Sequence, residues 1–348
     1  MSLTIFTSDR FADHFTPPGH PERLERAEVM QVVASEFRQQ GGDVCEPRSA
    51  TEADLARVHD REYISLISET SGRATALDAD TFTSPDSYEV ARLAAGAAIA
   101  SVDDVLDGPG RRALAMVRPP GHHAERNRAM GFCLFNNMAI AAAHARQRGV
   151  SRVAIVDYDV HHGNGTQWSF YDNPSVLFIS SHQYPYYPGT GAATETGTGE
   201  GAGFTINLPM DAGGTDADYA LAYNTIAFPV LRQFRPELIL ISAGFDALED
   251  DPLGGMRLSV DGFAWLTAAI AAIADECCDG RVVAITEGGY DLGGLASCLR
   301  AVIPVLNGET SLADLRGPTG SAPHSHATAR GPATIDAALP QVRKFWQL

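Results

Sequence analysis

Short apolar runs rich in β-branched residues recur along the chain: LAMV at 114–117, VAIV at 153–156, VLFI at 176–179, LILI at 238–241 and VVAI at 282–285. None alternates apolar with polar positions, so each reads as a strand buried on both faces. Between them the spacing turns helical. NNMAIAAAHARQRG at 136–149 ends on a glycine, as a helix C-terminus does, and DADYALAYNTIAFPVLRQF at 216–234 is a second such stretch. Strand followed by helix, repeated, predicts an α/β fold around a mostly parallel sheet. The segments leaving the strands, RPPGHH, DYDVHHGN, SSHQY, SAGFD and TEGGY, are polar and rich in ligand side chains, and all but SSHQY carry glycine. In open parallel sheets the carboxyl edge is where such loops converge on a crevice. Ordinary turns would account for the glycines but not for so many chemically loaded loops.

Composition narrows the picture. A chain of 348 residues with 45% hydrophobic positions has ample material for a large core. Length alone allows one large α/β domain or two ordinary ones, and a surface loop or extended arm is expected at 308–335, where glycine, serine, threonine, alanine and proline dominate. His324 and His326 in that segment could bind a metal but read as solvated, and are assigned no role. A net charge of −17 argues against nucleic acid as a direct partner and is compatible with cationic substrates. Five cysteines without a CxxC give neither a disulfide framework nor a zinc-knuckle pattern, which points to a reducing cytoplasm. The start, MSLTIFTSDR, lacks the features of a signal peptide, and the longest apolar run, 263–274, is too short to span a bilayer, so no membrane role is expected.

Two histidine doublets carry the candidate chemistry. Asp159 and His161 stand two apart just beyond a predicted strand, so in extended backbone their side chains share a side while Val160 faces away. Asp246, at the end of SAGFD, is a plausible third ligand, completing a carboxylate, imidazole and carboxylate set with an open position. Such a set suits a hydrolytic zinc, although oxygen-rich ligation also admits iron(II), cobalt or manganese. The same alternation turns His162 away, toward a packed or hydrogen-bonded role. His122 and His123 have no acid at ligand spacing and follow Pro119 and Pro120, which suits positioned bases better than ligands. Asp157 and Asn164 are available to hold their second nitrogens. Tyr290, after two glycines in EGGY, reads either as a phenol donating to a developing oxyanion or as a packing tyrosine.

These residues resemble the histone deacetylase superfamily, in particular its class II-like bacterial amidohydrolases. The resemblance runs through TPPGHPERLER at 16–26, RPPGHHAERNRAMGFCLFNN, VDYDVHHGNGTQ, SAGFDALEDDPLGG and EGGYDL, in that order, and covers about residues 16–305, which implies a single domain over 1–348 with its catalytic core there. It implies an arginase/deacetylase fold, with an eight-stranded mostly parallel sheet flanked by helices, and one catalytic Zn2+ on Asp159, His161 and Asp246. It implies His123 as general base and acid with Asn164 behind it, His122 as electrostatic partner with Asp157 behind it, and Tyr290 as the catalytic tyrosine. Where much of the family has aspartate at position 164, the asparagine here follows the class II pattern and should leave His123 less basic.

By the same resemblance Gly131 and Phe132 form one wall of a narrow tunnel, with Tyr187 where many relatives carry phenylalanine. Leu253 takes the gate position that holds glutamate in the polyamine-selective branch. A potassium ion is implied near Asp157, Asp159, His161, Ser180 and Ser181, and Arg26 matches the arginine of an inner acetate cavity. The activity implied is zinc-dependent removal of acetyl or other short acyl groups from acylated lysine side chains or small acylated amines. An acetylpolyamine or small-amide amidohydrolase is the alternative. A non-catalytic acyl-lysine reader would show a broken ligand or a lost tyrosine, and neither occurs. Arginase-like chemistry would need two metals and more aspartates. Homo-oligomerisation is left open.

Overall fold

The computed structural model describes residues 2–315 and 326–348. Its strands are β1 (Leu3–Phe6), β2 (Asp43–Cys45), β3 (Thr75–Ala76), β4 (Phe82–Thr83), β5 (Arg112–Ala115), β6 (Val153–Asp157), β7 (Val176–Gln183), β8 (Thr205–Met210), β9 (Leu238–Ala243) and β10 (Val282–Thr286). Eight of them form one sheet in the order β2-β1-β5-β10-β9-β6-β7-β8, with every neighbouring pair parallel. The remaining pair, β3 and β4, is a small antiparallel ribbon.

Unbroken apolar strands follow from a sheet covered on both faces. Ala154, Val156, Ile239, Ile241, Val282 and Ala284 pack on one side, with the helices Glu25–Gln39, Val260–Cys277, Leu292–Leu306 and Arg330–Val342. Val153, Ile155, Leu238, Leu240, Val283 and Ile285 pack on the other, with Ser87–Asp107 and Asn137–Gln147. The period of two along each strand therefore divides its residues between two cores. The predicted helix at 136–149 starts one residue later, with Asn136 as its cap accepting the N–H of Ala139 at 2.8 Å. Residues 216–234 are helical throughout, with a wider turn at Tyr223–Ala227 between two α-helical pieces.

Several expectations shift. The strand expected at 114–117 lies at Arg112–Ala115. Its first residue is a buried arginine, which hydropathy alone reads as a loop; the Asp275 carboxylate at 2.9 Å makes that burial tolerable. Ser180, Ser181 and His182, expected in a loop, lie inside β7, because β8 pairs along it as far as Gln183 opposite Met210. The arm expected at 308–335 is corrected at its end: Arg330–Val342 is a helix, so 330–335 is not loop. Pro332 falls in its first turn, where no N–H is needed, and Ala338 and Val342 are buried against the core at helical spacing. His324 lies outside the described residues, whereas His326 is exposed. All five cysteines are free thiols. No helix among the described residues is long and apolar enough to cross a membrane.

Candidate active site

Four adjacent strands, β5, β10, β9 and β6, deliver the site from their carboxyl ends. His122 and His123 follow β5, Tyr290 follows β10, Asp246 follows β9, and Asp159 and His161 follow β6. Segments more than a hundred residues apart in the chain thus become neighbours across a few strand spacings.

Asp159, His161 and Asp246 are all buried, and one ligand atom from each lies within 4.8 Å of the others. His161 Nδ1 stands 3.3 Å from Asp159 Oδ1 and 3.1 Å from Asp246 Oδ2. Val160 between them points into the core, so the alternation expected from sequence holds. Backbone donors orient the acids: Val160 N–H reaches Asp246 Oδ1 at 2.8 Å, and Gly288 N–H reaches Asp159 Oδ2 at 2.8 Å. Glycine is required at two points of this cradle. A Cβ on Gly244 would lie 2.0 Å from Asp159 Oδ2, and one on Gly288 would lie 2.1 Å from Asp246 Oδ2.

Burying two carboxylates costs several kcal/mol per ion unless positive charge compensates them. Burial, reinforced by Asp159, pushes Asp246 up to about 7. For Asp159, burial works the other way from its neighbours, and His122 and His161 outweigh it, holding the carboxyl below its usual range. For His161 burial disfavours the proton, yet the hydrogen bonds to Asp159 and Asp246 win and lift it to about 9. A set of donors that draws a proton this strongly is chemically matched to a divalent cation, so these residues fit the metal that sequence spacing implies.

The other doublet is built for protons. His123 Nδ1 lies 2.8 Å from Asn164 Oδ1, while Asn164 Nδ2 donates to Glu125 Oε1 at 2.8 Å. That second bond fixes the amide orientation, so Asn164 offers an oxygen and His123 Nδ1 must donate, leaving Nε2 with its lone pair. Burial, aided by His122 and His161, keeps His123 well below its ordinary value and hence neutral. His122 is the reverse case. Its Nδ1 is 3.1 Å from Asp157 Oδ2 and its Nε2 3.8 Å from Asp159 Oδ1. Burial opposes its charge, but Asp159 and Asp157 outweigh burial and raise it well above the usual histidine range. His162 is turned away, bonded to Thr190 Oγ1 at 2.7 Å and Gln167 Oε1 at 2.9 Å.

A cavity of about 190 Å³ joins these groups, lined by Asp80, His123, Gly131, Phe132, His161, Tyr186, Tyr187, Leu253 and Tyr290. All four tunnel residues expected from sequence are on its wall. Phe132 has φ 67°, a left-handed conformation that costs an aromatic residue about 1–3 kcal/mol. Thr81 Oγ1 accepts its N–H at 3.1 Å, and the rings of His20 and Tyr290 lie edge-on at 4.7 and 5.8 Å. Tyr187 stands edge-on to His123 at 5.2 Å. Tyr290 is buried; burial first, then Asp246, raises its phenol well above the normal value, so it keeps its proton.

Arg26 sits behind Tyr290, its guanidinium carbon 5.1 Å from the ring centre. It is fully buried and donates to Gly289 O at 2.8 Å, Glu287 O at 2.5 Å and Glu22 Oε1 at 2.9 Å. Ser180 pairs with Asp157 in the ladder, and Ser181 Oγ meets the Tyr223 hydroxyl at 2.8 Å. Sequence reasoning missed Asp80, whose local segment carries no motif, Tyr186, passed over beside Tyr187, and Glu287, whose motif was noticed only for its tyrosine.

Comparison with known proteins adds an independent line. Residues 20–306 match the histone deacetylase domain. A probable deacetylase of Archaeoglobus fulgidus is 41% identical over 297 residues, covering 84% of this chain and 83% of that protein. The polyamine deacetylase HDAC10 of Homo sapiens is 40% identical over 331 residues, covering 88% of this chain but 48% of the human protein. The crystal structure of the HDA15 HD domain superimposes with a TM-score of 0.90 at 36% identity, covering 99% of this chain and 95% of that one.

Proposed function

This chain belongs to the histone deacetylase family, hydrolases acting on amide bonds, and we propose that it is a zinc-dependent amidohydrolase releasing acetyl or other short acyl groups from acylated lysine side chains. One observation carries the reading: a three-donor cation set, a neutral histidine with a free Nε2 and a protonated phenol all face one narrow cavity. A zinc ion on Asp159, His161 and Asp246 would supply Lewis-acid polarisation of the amide carbonyl and a more acidic attacking water.

The chain's own groups then act as follows. His123 Nε2 takes the proton of the attacking water, and its Nδ1–H bond to Asn164 holds the ring in that tautomer. Tyr290 donates its hydroxyl proton's hydrogen bond to the oxyanion of the tetrahedral carbon. His122, held charged by Asp157 and Asp159, sits 4.0 Å from His123 between ring centres and steadies the negative charge that develops. The protonated histidine finally delivers its proton to the departing amine. Phe132, Tyr187 and Leu253 exclude water along the acyl-bearing chain. We assign Arg26, buried behind Tyr290, to the path of the released acid, and the 157–161 segment with Ser180 and Ser181 is our proposed potassium site.

Leu253 at the mouth favours a neutral-necked substrate, and so acyl-lysine. The Asp80 carboxylate on the same wall favours an ammonium, which keeps small acylated amines, polyamines included, as the second reading. Free thiols at every cysteine support the cytoplasm as its compartment. The test compares turnover of an acetyl-lysine peptide, acetylputrescine and acetylspermidine before and after chelation. We expect activity on the peptide to vanish with the metal and to return with Zn2+. Undiminished hydrolysis in the metal-free protein would sink the assignment.

A further inference from the structure

Glu287 has no part in the chemistry above, yet it is the first residue beyond β10 and is fully buried. Among the described residues its carboxylate makes no short ion pair, although its charge is felt by the nearby His122. Its Oε2 instead accepts the backbone N–H groups of Gly121 at 2.6 Å and His122 at 3.1 Å. Its Oε1 has no hydrogen-bond partner among the described residues. A buried acid satisfied on one oxygen only is costly and calls for an explanation in its location.

That location is the loop carrying the histidine pair. On its other side the loop is pressed against the start of the helix Asn137–Gln147: a Cβ on Gly121 would lie 2.5 Å from Asn137 N, and Asn137 Nδ2 donates to Pro119 O at 3.2 Å. The ring ends of His122 and His123 are fixed by Asp157, the last residue of β6, and by Asn164, the first residue of the short helix Asn164–Ser169 that follows it. From the β10 side, Thr286 holds Val117 at the entry to the loop, and Glu287 holds the backbone of Gly121 and His122 themselves, β10 lying directly beside β5 in the sheet. The next residue, Gly288, binds Asp159, so one strand end references both the histidine pair and the cation donors.

We propose that Glu287 is a positioning residue: it clamps the backbone of Gly121 and His122 so that both imidazoles meet the cation donors in working register. The proposal rests on the amidohydrolase reading above. The role asks for a hydrogen-bond acceptor at this point. Glu287→Gln retains a carbonyl oxygen for the two N–H groups, whereas Glu287→Ala leaves them buried and unpaired. Misplacement of a reacting group by about 1 Å can cost roughly 10²-fold in rate.

The experiment measures kcat and KM on an acetyl-lysine peptide, bound zinc per chain, and the crystal structures of the zinc-loaded wild type, Glu287→Gln and Glu287→Ala. Glu287→Met, similar in volume but without an acceptor, is carried alongside in case the truncated protein does not fold. The expected result is a fall in kcat on the order of 10²-fold in the Ala or Met variant, with KM and zinc content kept and residues 119–123 displaced. The Gln variant should retain the loop position and a kcat within about fivefold of wild type. Full kcat in the Ala or Met variant, an undisturbed loop there, or equal losses in Gln and Ala would overturn the inference. A wild-type protein inactive on every acylated amine would instead sink the functional reading, while the loop positions would still decide the clamp.

Discussion

Each histidine of the two doublets takes its character from what its ring nitrogens touch. His161 faces two carboxylates, His122 one at Nδ1 with a second near Nε2, His123 an amide oxygen, and His162 a hydroxyl and an amide oxygen. The acids keep His161 and His122 charged, burial, working against the Asn164 bond, keeps His123 neutral, and His162 is packed away from the site. Tyr290 can be tested at the same scale. Its phenol stays protonated beside the cation donors, so Tyr290→Phe should keep bound zinc and lower kcat on an acetyl-lysine peptide by on the order of 10²–10³-fold. A variant with wild-type turnover would remove the oxyanion role. At this scale the sequence was informative wherever residues two apart shared a strand end, as with Asp159 and His161. It was silent on Asp80, which reaches the cavity wall from the turn between β3 and β4, where its neighbour Thr81 is bonded to the Phe132 backbone.

At the scale of elements, the site depends on how tightly strand ends approach one another. Gly244 directly after β9 and Gly288 two residues after β10 are glycines because the carboxylates of Asp159 and Asp246 fill the space a side chain would take. Gly288→Ala should therefore weaken zinc binding on the order of 10–100-fold, read by competition with a chelator. Gly293→Ala is the control, since its Cβ would find nothing nearer than Asp291 Oδ1 at 3.5 Å, and it should leave affinity unchanged. The strands themselves were readable from their apolar runs, but their limits were not. The polar SSH triplet belongs to β7 because β8 supplies its partners, and Arg112 belongs to β5 because Asp275 pairs with it. Neither partner is near in sequence.

Over the whole molecule, burial of neutral histidines makes stability sensitive to acid. His59 accepts the N–H of Asn136 on Nε2 at 2.9 Å and approaches Glu125 O through Nδ1 at 3.0 Å, a pairing only the neutral ring can make. Burial lowers it to about 4, and His14 is likewise lowered to about 3 by burial and by Arg118. Since the unfolded chain protonates these rings near the ordinary histidine value of about 6.5, their contribution is intact above that pH. It is lost progressively as pH falls from there toward 4, by roughly 1.4 kcal/mol per unit for each ring. Denaturant unfolding at stepped pH should show that slope, and a His59→Gln variant should show it reduced by one proton. An unchanged slope in the variant would exclude His59 as a source.

The sequence by itself determined the strand cores, the parallel α/β class, the half-site of Asp159 and His161 and, through long ordered motifs, the family. These are properties of local spacing, which covalent geometry fixes before folding. Only the tertiary structure decided that β10 and β9 insert between β5 and β6, so that His123, Glu287, Tyr290, Asp246 and Asp159 stand side by side. Strand order is set by which faces and edges can be buried together, a property of the whole chain that no local window contains.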